Sequence, residues 1–202
     1  RCVGVAGDTF EMRGGKLFVN DKPETILGDQ EEQHAFVVEA SSEIDTKELF
    51  KRLEYISIAR VNSQTVYFQE AIKKYNIKPE NIVYVMQLTD ARLKEIKSLP
   101  QVVSVREDIL VKGDAAISYK DEARTKIDTA QSIFPVNKAW NQDWYGPVRI
   151  PKKGDVVAIN KETLPMYRWI ISEYEHNSVA ERNGQIFINN QPAKNYTIKQ
   201  DY

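Results

Sequence analysis

The side chains in this sequence that could carry chemistry are few and scattered. Two histidines, His34 and His176, accompany several serines and aspartates. A hydrolase triad would need these types as nucleophile, base and orienting group. No Gly-x-Ser-x-Gly elbow occurs to present such a serine. His34 opens a strand-like run, and His176 sits beside Asn177 at the end of a helical pattern, where an imidazolium would act as a cation at a helix C-terminus. The histidines lack the paired spacing of a metal site. The single Cys2 excludes an internal disulfide and any multi-cysteine metal site, and it leaves the redox compartment open. Glu31-Glu32 and Asp121-Glu122 read as solvated charge runs. With 29 carboxylates in the chain, glycosidase-type pairs can be drawn anywhere and carry no signal. Gly7 and Gly14-Gly15 are not followed by the Gly-Lys-Ser/Thr of a phosphate loop. Trp140, Trp144 and Tyr145 form a cluster that either packs a loop onto a core or faces a peptide or lipid, the first being commoner. Residue type and spacing therefore assign no catalytic, cofactor-binding or metal-ligating residue.

The background is that of an ordinary globular chain. It has 202 residues, 42% hydrophobic and 28% charged, with a formal net charge of −1. That balance supplies no global field to recruit nucleic acid or an anionic membrane, and Lys152-Lys153 reads as a solvated loop. No apolar run approaches the length needed to span a bilayer. The longest, Ile82-Val83-Tyr84-Val85-Met86, has strand length. An opening on Arg1-Cys2-Val3, without Met, reads as a piece cut from a longer protein.

Three blocks must position these side chains. In 1–29, Val3 and Val5 alternate with small residues, Gly7-Asp8 signals a turn, and Phe10 and Met12 alternate up to a reversal at Gly14-Gly15. Leu17-Phe18-Val19 follows as a strand, closed by Asn20-Asp21 and Pro23. In 34–112 a strand over 35–40 precedes a helix over 46–57 carrying Leu49, Phe50, Leu53 and Ile56, with Asp45 as its cap. A second helix over 65–75 carries Phe68, Ala71, Ile72 and Tyr75 and is stopped by Pro79. Then come a strand over 82–87, a helix over 90–98 capped by Thr89 or Asp90, and a strand over 102–106. The three helices are expected on one face of the sheet, with 82–87 as a central strand because its apolar residues face both ways. The pattern is that of an α+β sandwich of ferredoxin-like type. Residues 113–133 read as a polar connector. In 134–202, strands return around one amphipathic helix carrying Leu164, Tyr167, Ile171 and Tyr174, with Pro165 tolerated in its first turn.

One internal echo crosses these blocks. Gly15-Lys16-Leu17-Phe18-Val19-Asn20-Asp21-Lys22-Pro23 matches Gly184-Gln185-Ile186-Phe187-Ile188-Asn189-Asn190-Gln191-Pro192 in character at each position. Both read as a turn, a short strand and a second turn. Two copies do not make a solenoid. They predict similar edge strands of one β-structure, with Phe18 and Phe187 in equivalent orientations.

Two stretches resemble a known family. Arg1-Cys2-Val3-Gly4-Val5-Ala6-Gly7-Asp8-Thr9 looks like the bacterial type I signal peptidase stretch Lys-Arg-x-Val/Ile-Gly-x-Pro-Gly-Asp. Asn183–Asn189 and Tyr196-Thr197-Ile198-Lys199-Gln200-Asp201-Tyr202 look like the approach to that family's Met-Gly-Asp-Asn-Arg motif. Trp144-Tyr145-Gly146-Pro147 with Ile150-Pro151-Lys152-Lys153-Gly154 resembles its Bacteroidetes branch. The likeness covers 1–29 and 134–202, and nothing familiar marks the middle block. Ala6 departs from the proline many relatives carry. The resemblance implies a serine endopeptidase that removes signal peptides from secreted proteins, using a serine nucleophile and a neutral lysine base. It places that lysine immediately before Arg1, the serine and a membrane segment further upstream, and the next motif after Tyr202, so the chain itself holds no catalytic residue. It further implies a β-rich platform (1–29 and 134–202) interrupted by the 34–112 module. The location would be the extracytoplasmic, periplasmic face of the bacterial inner membrane. The partners would be preprotein signal peptides and the secretion machinery, with no nucleic acid and no cofactor. A middle block that serves as a protein-interaction module, or as a structural insertion without activity, is the alternative.

Overall fold

The computed structural model describes residues 4–24, 31–53, 56–113, 133–135 and 138–202. The chain divides into two compact units, Arg1–Glu24 with Ala130–Tyr202 and Thr25–Thr129. Its make-up is α+β, with antiparallel sheets and helices.

The unit formed by Thr25–Thr129 runs β4 (His34–Ala40), α1 (Thr46–Arg52), β5 (Ser57–Arg60), α2 (Val66–Tyr75), β6 (Ile82–Leu88), α3 (Asp90–Lys97) and β7 (Val102–Glu107), numbered in whole-chain order after the three strands given below. Its sheet has the order β5-β6-β4-β7, and every neighbouring pair is antiparallel. Asp45 caps α1 by accepting the Glu48 N–H at 3.0 Å. The hydroxyls of Thr65 and Thr89 do the same for α2 and α3.

Successive strand residues face opposite sides, and both sides of β4 and β6 are covered. Phe36, Val38, Ala40, Tyr84, Met86 and Leu88 pack with Leu49 and Leu53 of the α1 segment and Ile96 of α3. Val37, Val83 and Val85 pack on the other side with Phe68 and with Ile72 of α2. The sheet is therefore sandwiched, and the expectation of three helices on one face fails for α2. Tyr67 and Tyr75 pin α2 by donating to the Asp108 carboxylate at 2.6 and 2.9 Å. The expected helix over 46–57 is also too long. Residues 57–60 form β5, whose Ile58, with neighbouring Ile56, lies against the first core. Helix α2 ends at Asn76, whose left-handed φ of 53° closes it, rather than at Pro79.

The other unit contains β1 (Thr9–Arg13), β2 (Lys16–Val19), β3 (Lys22–Pro23), β8 (Trp144–Arg149), β9 (Val156–Ala158), α4 (Leu164–Trp169), β10 (Val179–Arg182), β11 (Gln185–Ile188), β12 (Gln191–Pro192) and β13 (Asn195–Thr197). A π-helical turn, Ile170–Tyr174, continues α4. The sheets are β3-β2-β1-β8, β10-β11-β12 and β13-β9. Ile159, Leu164, Ile171, Ile186 and Ile188 form a core between the helix and β11. Tyr174, expected on the apolar stripe, is 56% exposed, because the wider π turn rotates it away from Ile171. The two echo segments are β2 and β11. They are middle strands of separate meanders, not edge strands of one sheet, because each carries its own turn and return strand.

Candidate functional site

Residues 4–8 and 198–202 meet at one loop, Ile150–Asp155. Gly7, at a φ of 97°, lets the chain turn from Val5 to Asp8, and the Asp8 N–H donates to the Val5 carbonyl at 2.9 Å. The Asp8 carboxylate answers by accepting the Val5 N–H at 2.9 Å and the Asn20 amide at 2.8 Å. The Val5 N–H first, and Asn20 after it, hold this carboxyl below the usual carboxylate range. Gly7 donates to the Ile150 carbonyl at 2.9 Å and Ile150 returns a bond to the Asp8 carbonyl at 2.8 Å, which extends the β1–β8 ladder beyond Thr9↔Arg149.

Arg149 locks this junction. Its guanidinium donates to the Gly7 carbonyl at 2.7 Å and to both Asp155 carboxylate oxygens at 2.9 and 3.3 Å, a forked geometry lysine cannot reproduce. Asp155 also accepts the Lys152 N–H at 3.1 Å. Its carboxyl lies below its ordinary value, through Arg149 first and the Lys152 N–H second. The C-terminal stretch docks on the same loop. Gly154 donates to the Ile198 carbonyl at 2.8 Å and Ile198 to the Asp155 carbonyl at 2.9 Å. Lys153 N–H donates to the Asp201 carboxylate at 2.8 Å, and Tyr202 N–H to the Pro151 carbonyl at 3.3 Å.

A second polar cluster secures that stretch from behind. Glu175, at the end of the π turn, accepts the Tyr196 hydroxyl, the Lys199 N–H at 2.7 Å and the Tyr202 hydroxyl at 3.1 Å. Asn177 donates to the Tyr196 oxygen at 2.7 Å and accepts the Lys199 ammonium at 3.3 Å. Burial first, then the bond to Glu175, pushes the Tyr196 phenol far above its ordinary value, and burial raises Tyr202 as well. A carboxylate taken up by three donors and phenols held in their neutral form make a clasp, not a nucleophile–base pair.

The sequence candidates fall outside this junction. His34 opens β4 with Glu32 3.7 Å away, and His176 follows the π turn at a φ of 54°. Neither has a hydrogen bond to a serine among the described residues. The serine hydroxyls of 41, 98 and 172 donate to backbone carbonyls, and that of 104 to Glu39. Among the described residues no three His, Cys, Asp or Glu side chains gather as a metal site. Cys2 and Asp121-Glu122 lie outside them. Tyr145 stacks on Phe10 at 5.9 Å and meets Trp140 at 4.8 Å, so the aromatic cluster packs its loop onto β1. The chain matches no family model, no curated protein and no solved structure.

Sequence reasoning missed Glu39, which is 5% exposed on the α2 side of β4. It accepts the Asn81 amide at 2.7 Å, the Ser104 hydroxyl at 2.7 Å and the Lys78 N–H at 3.2 Å. A carboxylate inside the run Phe36-Val37-Val38-Glu39-Ala40 was the available signal, since such a group is buried only when paired. The nearby cleft of about 480 Å³, lined by Arg60, Asn62, Phe68 and Asn81 among others, holds no converging titratable set.

Proposed function

We propose that this chain is part of the extracytoplasmic region of a membrane-anchored bacterial type I signal peptidase, a serine endopeptidase whose nucleophile and base lie outside residues 1–202. The observation that carries this reading is the convergence of Gly4–Asp8 and Ile198–Tyr202 on the single loop Ile150–Asp155. Gly4–Asp8 and Ile198–Tyr202 are the described residues nearest in sequence to the expected lysine and to the expected Met-Gly-Asp-Asn-Arg motif, and both are held by the same loop. The partners of the parent enzyme would be signal peptides, and its site the periplasmic face of the inner membrane. Among the described residues no helix is long and apolar enough to cross a membrane.

The test uses the parent protein with a preprotein substrate. Replacing the residue before Arg1 should abolish cleavage, and Arg149→Lys should lower it while the fold persists. A parent with no lysine at that position, or with full activity after its replacement, refutes the reading. The 1–202 chain alone should cleave nothing above background.

For the Thr25–Thr129 unit we propose a ferredoxin-like module elaborated by one helix. The support is the all-antiparallel order β5-β6-β4-β7, which is the split-βαβ arrangement, with α2 inserted between β5 and β6. Its interaction edge would be β5. The opposite edge strand, β7, is broken by a register shift opposite Glu39 and Ala40, a feature that discourages strand addition. Proline substitution at Ala59 should then weaken binding of a secretion-machinery partner, and unchanged binding would exclude this edge.

A further inference from the structure

The sequence echo is deeper in three dimensions than in letters. Strands β1–β3 and β10–β12 are the same meander twice. Phe10↔Val19, Glu11↔Phe18 and Arg13↔Lys16 correspond to Val179↔Ile188, Ala180↔Phe187 and Arg182↔Gln185, each a step of 169 positions. Phe18↔Pro23 corresponds likewise to Phe187↔Pro192. Asn20 and Asp21 sit at φ 50° and 63°, as do Asn189 and Asn190. The buttressing bonds repeat too. Thr9 N–H donates to Asn20 at 3.0 Å and Ser178 N–H to Asn189 at 3.0 Å. The Asn20 amide reaches Asp8 at 2.8 Å, and the Asn189 amide reaches Asn177 at 2.8 Å.

Against this constancy, one face differs in charge. In the first meander the Arg13 guanidinium lies 4.6 Å from the Phe18 ring centre. It donates to Glu11 at 2.9 and 2.7 Å and also to Asp21. In the second meander Arg182 lies over Phe187 at 5.4 Å, but Ala180 replaces Glu11 and Asn190 replaces Asp21. Among the described residues its one side-chain hydrogen bond runs to the Asn190 oxygen at 3.2 Å, and it has no ion pair. Glu181, its neighbour, points the other way and pairs with Arg168. Both Arg182 and Asn190 are exposed.

We propose that the Arg182–Phe187 ledge is a binding site for a carboxylate supplied by another molecule, in the place its twin fills with Glu11 and Asp21. The first meander shows the ligand chemistry: a carboxylate accepting from Nε and Nη2 of a guanidinium that an aromatic ring holds flat. The second keeps the guanidinium, the ring and the backbone frame and lacks both internal anions. This inference does not depend on the signal peptidase reading.

The experiment is a titration of the 1–202 chain, following the arginine Nε–Hε resonances by NMR. The probes are acetate and the peptide acetyl-Gly-Glu-Gly-amide, with acetyl-Gly-Gln-Gly-amide as control. The Arg182 signal should shift saturably at roughly millimolar carboxylate, as suits an exposed forked pair, while Arg13 stays still and the Gln peptide does nothing. Tighter binding of the Glu peptide than of acetate assigns the site to acidic peptides. Equal binding assigns it to free carboxylates. Ala180→Glu with Asn190→Asp should abolish the Arg182 response, and Glu11→Ala with Asp21→Asn should create one at Arg13. Each exchange installs residues the other copy already carries at the same backbone angles, and unchanged amide spectra elsewhere verify the fold. A still Arg182, an equal response to the Gln peptide, or a response that survives the charge exchange overturns the proposal.

Discussion

Replacing Glu39 by Gln tests whether the buried carboxylate holds its unit together as a charge or only as a shape. The side chain is 5% exposed and accepts three hydrogen bonds, from Asn81, Ser104 and the Lys78 N–H. Burial, the largest influence, raises the Glu39 carboxyl, but Ser104, Asn81, Lys78 N–H and the charge of Arg106 together bring it below its ordinary value. Gln keeps the volume and one acceptor but presents an NH2 where a second oxygen stood. One charge-assisted bond is lost, worth about 1.5–3 kcal/mol, and the others become neutral bonds of about 1 kcal/mol each. A loss of about 2–3 kcal/mol at pH 7 follows, read from urea unfolding followed by far-UV circular dichroism. Because the folded group titrates below the unfolded one, its stabilisation is present above the unfolded value and disappears as pH falls through the folded value. The gap between wild type and Glu39→Gln should therefore be widest near pH 7 and close between about pH 4 and the folded value beneath it. Equal stability of the two proteins at pH 7, or a gap that does not narrow in acid, would refute the reasoning.

Ile171→Ala, at a fully buried position of the Ile159–Leu164–Ile186–Ile188 core, should cost about 2–5 kcal/mol in urea unfolding. Asn20→Ala and Asn189→Ala each remove a left-handed turn residue and its bridge. Their losses should agree within about 1 kcal/mol, each lying near 1–3 kcal/mol, if the two meanders are energetically as well as geometrically alike. In alkaline titration followed by tyrosine absorbance, Tyr196 should ionise above the ordinary phenol value, so Tyr196→Phe should remove one late-ionising component. A phenol raised by folding contributes stability below the unfolded value near 10 and loses it as pH rises beyond.

What was legible in the sequence depended on how local the signal was. The Asp45 cap and the two-sided apolar run of β6 are written in neighbouring residues, and both appear as read. The echo was legible because its turns need residues that tolerate positive φ. Strand β5 was hidden because Leu49, Leu53 and Ile56 satisfy helical spacing while Ile56 and Ile58 satisfy a strand's. The side of the sheet that α2 covers is decided by the path of its connections, which no apolar stripe records. The Arg149–Asp155 lock joins two ends of a loop, and the Glu175 clasp gathers residues 196–202 from across the unit. Neither has a periodic trace.

Because α2 closes the second face of the sheet, strands β4 and β6 have no solvent side on which substitutions are free. In a sheet packed on one face, every other strand position can drift between polar residues. Here Phe36 through Ala40 and Val83 through Met86 are all buried. Sequence divergence in this module should therefore concentrate in the outer strands β5 and β7 and in the helix surfaces. A deep mutational scan should show the two central strands intolerant at consecutive positions rather than at alternate ones.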